Sequence, residues 1–149
     1  MAQDSYHRAL QVNPENLPAR LSLAKVYLRG HETAQAKAEF ERVLKSDPTN
    51  AEAHAGLGRI ALRAGQQNLA LQELSASLRQ DPDELDANED LAAIRTRRNE
   101  FAEAQGVLER LVKLEPNIAR YHYQLGRVLL KLGKSAEAQQ EFARSEKAK

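Results

Sequence analysis

Proline stands at Pro14, Pro48, Pro82 and Pro116, a constant step of 34 residues, and only Pro18 falls outside the series. A fixed period in this range marks a stacked array of similar two-helix units. Such a unit cannot cover its own apolar face and becomes stable by leaning on its neighbours. The spacing therefore prescribes a wall of helix pairs and argues against a closed catalytic chamber. It does not name a ligand.

Placing each proline near the end of a unit aligns four units, 17–50, 51–84, 85–118 and 119–149, after a half repeat over 1–16. The seventh column reads Leu23, Leu57, Leu91 and Leu125. The eighth is always small: Ala24, Gly58, Ala92 and Gly126. The twentieth is Ala36, Ala70, Ala104 and Ala138, and the twenty-fourth is Phe40, Leu74, Leu108 and Phe142. A small residue on the first helix lets it approach the second helix of its own pair. The alanine column receives that approach from the other side. The leucine and phenylalanine columns fill the space between units, each side chain contributing roughly 1.5–3 kcal/mol when buried.

These columns resemble the tetratricopeptide repeat family over essentially the whole chain, and Tyr27 fits that family's aromatic in the first helix. The resemblance implies an all-α fold: a right-handed α-solenoid of antiparallel helix pairs, forming one domain over 1–149. There are departures. The family's tryptophan column reads Arg20, His54, Asn88 and His122, and Ala61 and Arg95 stand where Tyr27 stands.

Local signals place the helix ends. First helices are expected to start near Asn16, Asn50, Glu84 and Asn117, since an asparagine side chain accepts a terminal backbone N–H. Pro18 sits in a first turn, where a missing N–H costs nothing. The turn inside each pair carries Gly30, Gly65, Asn99 and Gly133, residues that tolerate a left-handed backbone. Ala2–Val12 reads as the second helix of a unit whose first helix is missing, which favours a piece of a longer array over a native cap. At the other end Ser145 and Glu146 replace apolar residues, so the last helix is expected to present a polar outer face.

Composition narrows the function classes. With 22 basic and 21 acidic residues the net charge is +1, so no global field draws the chain to nucleic acid or an anionic membrane. No apolar run reaches the ~20 residues of a membrane span, and membrane insertion is not expected. There is no cysteine, which excludes disulfides and thiolate metal sites and leaves the cytoplasm and a bacterial periplasm both open. The segment after Met1 is polar and carries no visible leader, a weak point if a parent protein extends further.

No catalytic constellation emerges. His54 and His122 share one helix-packing column and read as structural, while His31 lies in a turn and His7 beside an edge helix. Gly56 and Gly58 lack the preceding strand that phosphate-binding loops need. The acidic run Asp81, Asp83, Glu84, Asp86, Glu89, Asp90 lacks the order of a calcium loop and reads as a charged turn with helix-start acids. No cofactor or metal is expected, and the chain is read as no enzyme.

The family resemblance places the first helices along a concave groove. There the ninth column gives Lys25, Arg59, Ala93 and Arg127, and the thirteenth gives Arg29, Arg63, Arg97 and Lys131. Residues four apart share a helical face, so seven cations form a ladder. The fifth column adds Leu21, Ala55, Glu89 and Tyr123, and the twelfth adds Leu28, Leu62, Thr96 and Leu130. The expected function is a scaffold or adaptor that binds a peptide or protein segment of acidic character through Lys25, Arg29, Arg59, Arg63, Arg97, Tyr123, Arg127 and Lys131. Arginine suits carboxylates because its planar fork donates two parallel hydrogen bonds. The family's clamp for a terminal carboxylate finds no match, since its positions read Leu21, Lys25, Gly56, Asp86 and Asp90, or Ala55, Arg59, Asp90, Arg120 and Gln124. Two rivals stand behind this reading: self-association through the N-terminal edge, and nucleic-acid binding along the cations, the latter short of stacking aromatics.

Overall fold

The computed structural model describes residues 2–149. Among them lie nine α-helices and no strand: α1 (Ala2–Val12), α2 (Leu17–Arg29), α3 (Thr33–Ser46), α4 (Ala51–Arg63), α5 (Gln67–Gln80), α6 (Leu85–Arg97), α7 (Phe101–Leu114), α8 (Ala119–Lys131) and α9 (Ser135–Ala148). The all-α helical-repeat fold expected from the periodicity is present. Contacts divide the chain into one unit that ends at Glu84 and a second, Leu85–Lys149. The first holds α1 to α5 and the second α6 to α9.

Within each unit consecutive helices pack on one another, α1 on α2 through α4 on α5 and α6 on α7 through α9. The sequence columns account for this. Ala36, Ala70, Ala104 and Ala138 are all fully buried, at 0% exposure. A Cβ on Gly58 would come within 2.8 Å of Leu74 Cδ2, and one on Gly126 within 2.6 Å of Phe142 Cε1. Small residues at this column thus set how closely the two helices of a pair meet. The first unit's core gathers Leu21, Ala24, Leu28, Phe40, Val43 and Ala53. The second unit's core is built on Leu108, Leu111, Tyr121, Leu125, Val128 and Leu129.

The helix ends correct the sequence reading in three places. Asn16 and Asn50 do cap α2 and α4, accepting from the N–H of Ala19 and Ala53. Asn117 does not cap α8, because the residue at the boundary is Ile118, which has no side-chain cap. Inside the pairs the left-handed residue is His31 rather than Gly30, with φ 60, matching Gly65, Asn99 and Gly133. All four turns share one hydrogen-bond pattern. In the first, the N–H of Glu32 donates to the Tyr27 carbonyl at 2.8 Å and that of His31 to the Leu28 carbonyl at 3.2 Å. This is the closure that needs a left-handed residue just past the helix end, and Gly30 lies one position too early. Finally, Ser145 is not on an outer polar face: it is 3% exposed, on the packed side of α9.

The left-handed turns give a test of backbone strain. A non-glycine residue pays a steric penalty there. His31→Gly is expected to raise the unfolding free energy by about 0.5–1 kcal/mol, after the glycine's extra entropy in the unfolded chain is counted. Gly65→Ala, at φ 77, is expected to lower it by about 1 kcal/mol. Urea midpoints of opposite sign for the two variants check the assignment.

Candidate functional site

The ninth- and thirteenth-column cations fall as the 3.6-residue period dictates, one turn apart on first helices. In the first unit Lys25 and Arg29 lie on α2, and Arg59 and Arg63 on α4. Lys25 and Arg63 reach across the seam between these helices. Lys25 Nζ stands 2.5 Å from Glu52 Oε2. Arg63 Nη1 donates to the Leu28 carbonyl at 3.4 Å. Leu28 itself is buried in the core, at 8% exposure, and is not free to meet a partner. Arg59 is half-buried, and Arg29 is exposed with no side-chain partner among the described residues.

The second unit differs. Arg97 on α6 and Arg127 and Lys131 on α8 are exposed, and none has a side-chain ion pair or hydrogen bond among the described residues. All three rim one cavity of about 270 Å³ between α6 and α8. Its apolar lining comes from Ala92, Ala93, Phe101, Leu108 and Val128, and Thr96 and Gln124 complete the wall. No carboxylate lines it. Tyr123 is not part of this lining. It is 52% exposed, and its ring leans on Phe142 of α9 at 5.7 Å. Leu130, 49% exposed, is likewise outside the cavity lining.

The other end of this seam is pinned by polar contacts. Tyr121 Oη donates to Glu89 Oε1 at 2.5 Å. Arg120 Nη2 stands 3.1 Å from Glu89 Oε2, and its guanidinium lies 5.2 Å from the centre of the Tyr121 ring. Burial, with the hydrogen bond to Glu89 behind it, pushes the Tyr121 phenol up to about 12. A phenol that ionises near pH 10.0 in the unfolded chain and at about 12 in the folded one keeps its proton longer when folded. Its contribution to stability is complete below about pH 10 and is lost as the pH climbs from there to about 12. An absorbance titration at 295 nm is expected to show Tyr121 as a late phenol, with burial raising Tyr27 as well, and Tyr121→Phe to remove the component near pH 12.

Sequence reasoning found the three rim cations and missed the apolar floor. The floor residues Phe101 and Leu108 sit on α7, a second helix, outside the first-helix columns that carry the cations. A signal was nevertheless present: Ala93 is the single uncharged residue in the ninth column. His54 and His122 are structural, as read. Each meets a glutamate through Nδ1 at 2.7 Å, Glu73 and Glu141 respectively. No helix among the described residues is long and apolar enough to cross a membrane.

Comparison with known proteins agrees with the geometry. Solved structures with the same fold include MamA, at TM-score 0.76 and 21% identity over 98% of this chain and 85% of that one. YrrB, described as a TPR protein with an unusual peptide-binding site, superposes at TM-score 0.68 and 18% identity, over 99% of this chain and 76% of its own. PilF of Pseudomonas aeruginosa reaches TM-score 0.77 and 25% identity, over 99% of this chain and 63% of its own. No curated protein matches the sequence. Two family models described as tetratricopeptide repeat match, one over residues 2–60 and 31–83 and the other over 89–149. With so much of its length accounted for by these repeats, the chain belongs to the tetratricopeptide repeat family.

Proposed function

We propose that this protein is an interaction scaffold whose first-helix faces hold a peptide or protein segment. Lys25, Arg29, Arg59 and Arg63 serve the first unit, and Arg97, Tyr123, Arg127 and Lys131 the second. The observation that carries the reading is the cluster Arg97, Arg127 and Lys131, three exposed cations without internal partners around an apolar floor. Solvated cations gathered on one rim repel each other, and a carboxylate-bearing ligand relieves that repulsion at no cost in internal contacts. The peptide-binding site described for YrrB, a neighbour in fold, is in keeping with this use. Preformed helices also keep the ordering cost on the receptor side low.

Selection of random dodecapeptides displayed on phage against the intact protein tests the reading. Peptides rich in aspartate and glutamate are expected to be enriched, with affinities that fall as salt rises. Charge reversal at exposed cations, Arg29→Glu with Arg63→Glu or Arg97→Glu with Arg127→Glu, is expected to weaken them at least tenfold. A selection that yields no specific peptide, or peptides indifferent to both reversals, would reject the scaffold reading. Light scattering over a concentration series separates a self-associating chain from a monomeric receptor.

A further inference from the structure

We infer that the cavity between α6 and α8 is a pocket for one bulky apolar side chain of an acidic segment, whose flanking carboxylates meet Arg97, Arg127 and Lys131. This deepens the scaffold reading and rests on it. Two seams built on the same repeat differ in the side chains that bridge them. At the α2–α4 seam Lys25 reaches Glu52, Leu28 is buried and Arg63 holds the Leu28 carbonyl. At the α6–α8 seam the same three columns hold Ala93 for Lys25, Thr96 for Leu28 and Arg120 for Glu52. The long aliphatic stem and the core leucine are both lost, and the ion pair across this seam runs instead from Arg120 to Glu89. A cavity of about 270 Å³ lies beside Ala93 and Thr96.

The chemistry of the occupant follows from the walls. Phe101, Leu108 and Val128 offer an apolar floor large enough for a leucine-sized group. The charged residues of the lining are all cations, and α8 contains no acidic residue from Ala119 to Lys131. Geometry sets the pattern of the ligand. In an extended peptide, residues two apart point to the same side and lie about 6.6 Å apart. An apolar residue aimed at the floor therefore carries carboxylates two positions before and after it toward the rim. Those two carboxylates lie four residues, about 13 Å, apart, so one meets Arg97 of α6 and the other the Arg127–Lys131 pair, which rises about 6 Å along α8. No terminal carboxylate is required, which separates this pocket from a clamp on a chain end.

The test uses the intact ¹⁵N-labelled protein and a capped heptapeptide: leucine at the centre, glutamate two residues to each side, serine elsewhere. Amide shifts are expected to cluster at residues 92–97 and 124–131. Replacing the peptide's leucine by alanine, or both glutamates by glutamine, is expected to weaken binding at least tenfold. Ala93→Phe, which fills the cavity, is expected to abolish the shifts. Should that variant melt early, Arg127→Glu with Lys131→Glu alters only exposed side chains and is expected to do the same. Shifts confined to α2 and α4, or binding that survives both variants in folded protein, would overturn the pocket while leaving the scaffold reading intact. An absence of any shift up to millimolar peptide would also overturn it, and the display selection would then decide the broader reading alone.

Discussion

Phe40→Ala is expected to lower the unfolding free energy by about 3–5 kcal/mol. The ring is 1% exposed and is the largest side chain in a core that also holds Leu21, Leu28 and Val43. It reaches from α3 to α4, where a Cβ on Gly56 would lie only 2.3 Å from Phe40 Cζ. Removing the ring leaves a cavity at this junction that fixed helices cannot close. The same geometry decides the sign of a smaller change. Alanine is the better helix former by about 1 kcal/mol, yet Gly56→Ala drives a methyl group into a buried ring. Overpacking of that kind costs about 1–3 kcal/mol and sometimes more, so with the contact this close the net expectation is a loss of up to about 2 kcal/mol. Gly106→Ala in α7 is the control, since nothing lies within 4 Å of the added methyl. There the helix-propensity gain of about 1 kcal/mol stands unopposed. Urea unfolding of the two alanine variants should move the midpoint in opposite directions. Phe40→Leu, which shortens the ring, should make Gly56→Ala less harmful, a non-additivity expected of residues in contact.

The second large effect concerns the column where the family carries tryptophan. His122 is 4% exposed and Glu141 7%. His122 Nε2 donates to the Pro116 carbonyl at 2.6 Å while Nδ1 meets Glu141 Oε2 at 2.7 Å. The first unit builds the same clamp from a different residue. Arg20 Nη1 donates to Glu39 Oε2 at 2.6 Å, and Nη2 to the Pro14 carbonyl at 2.9 Å. His54 repeats it with Glu73 and the Pro48 carbonyl. Each clamp ties a first helix to its own second helix and to the proline turn before it. His122→Ala strands a buried carboxylate and a carbonyl together. Removing one partner of a buried pair costs about 3–5 kcal/mol. Because Arg144 still reaches Glu141 from the surface, about 3 kcal/mol is expected. His122→Arg supplies the two donors that Arg20 supplies, and should stay within about 1 kcal/mol of the parent. Equal losses for the alanine and arginine variants in a urea melt would show that ring packing, not the clamp, holds this position.

The prolines and the alanine column made the fold legible, because each records a packing constraint that one residue type satisfies. Helix ends were less legible. Gly30 has the right chemistry for a left-handed position but precedes it by one residue, and the turn takes His31 instead. Composition alone cannot see a one-residue offset. Ser145 was misread because a serine on a packed face looks like surface. The column around it shows why small polar groups fit there: Ser77, in the same column, is fully buried and donates to the Ala51 carbonyl at 2.8 Å. The cations of the candidate site could be read directly, since charge and helical spacing are linear properties. Their state could not. Whether a lysine pairs with a glutamate 27 residues away, as Lys25 does with Glu52, depends on how two helices lie together. At α6–α8 that pairing is rerouted: Ala93 stands in the lysine's column, and Arg120, in the glutamate's, pairs with Glu89.

The bare start of α8 has a kinetic corollary. Where Asn16 and Asn50 hold the opening turns of α2 and α4, Ile118 offers only backbone. The first amides of α8 therefore form the weakest stretch of ladder among these three helices, and deuterium should enter there soonest. Brief fraying at that spot is expected to free exposed Arg120 from Glu89 first, while Tyr121, buried in the core, keeps its hold and the packing beneath stays shut.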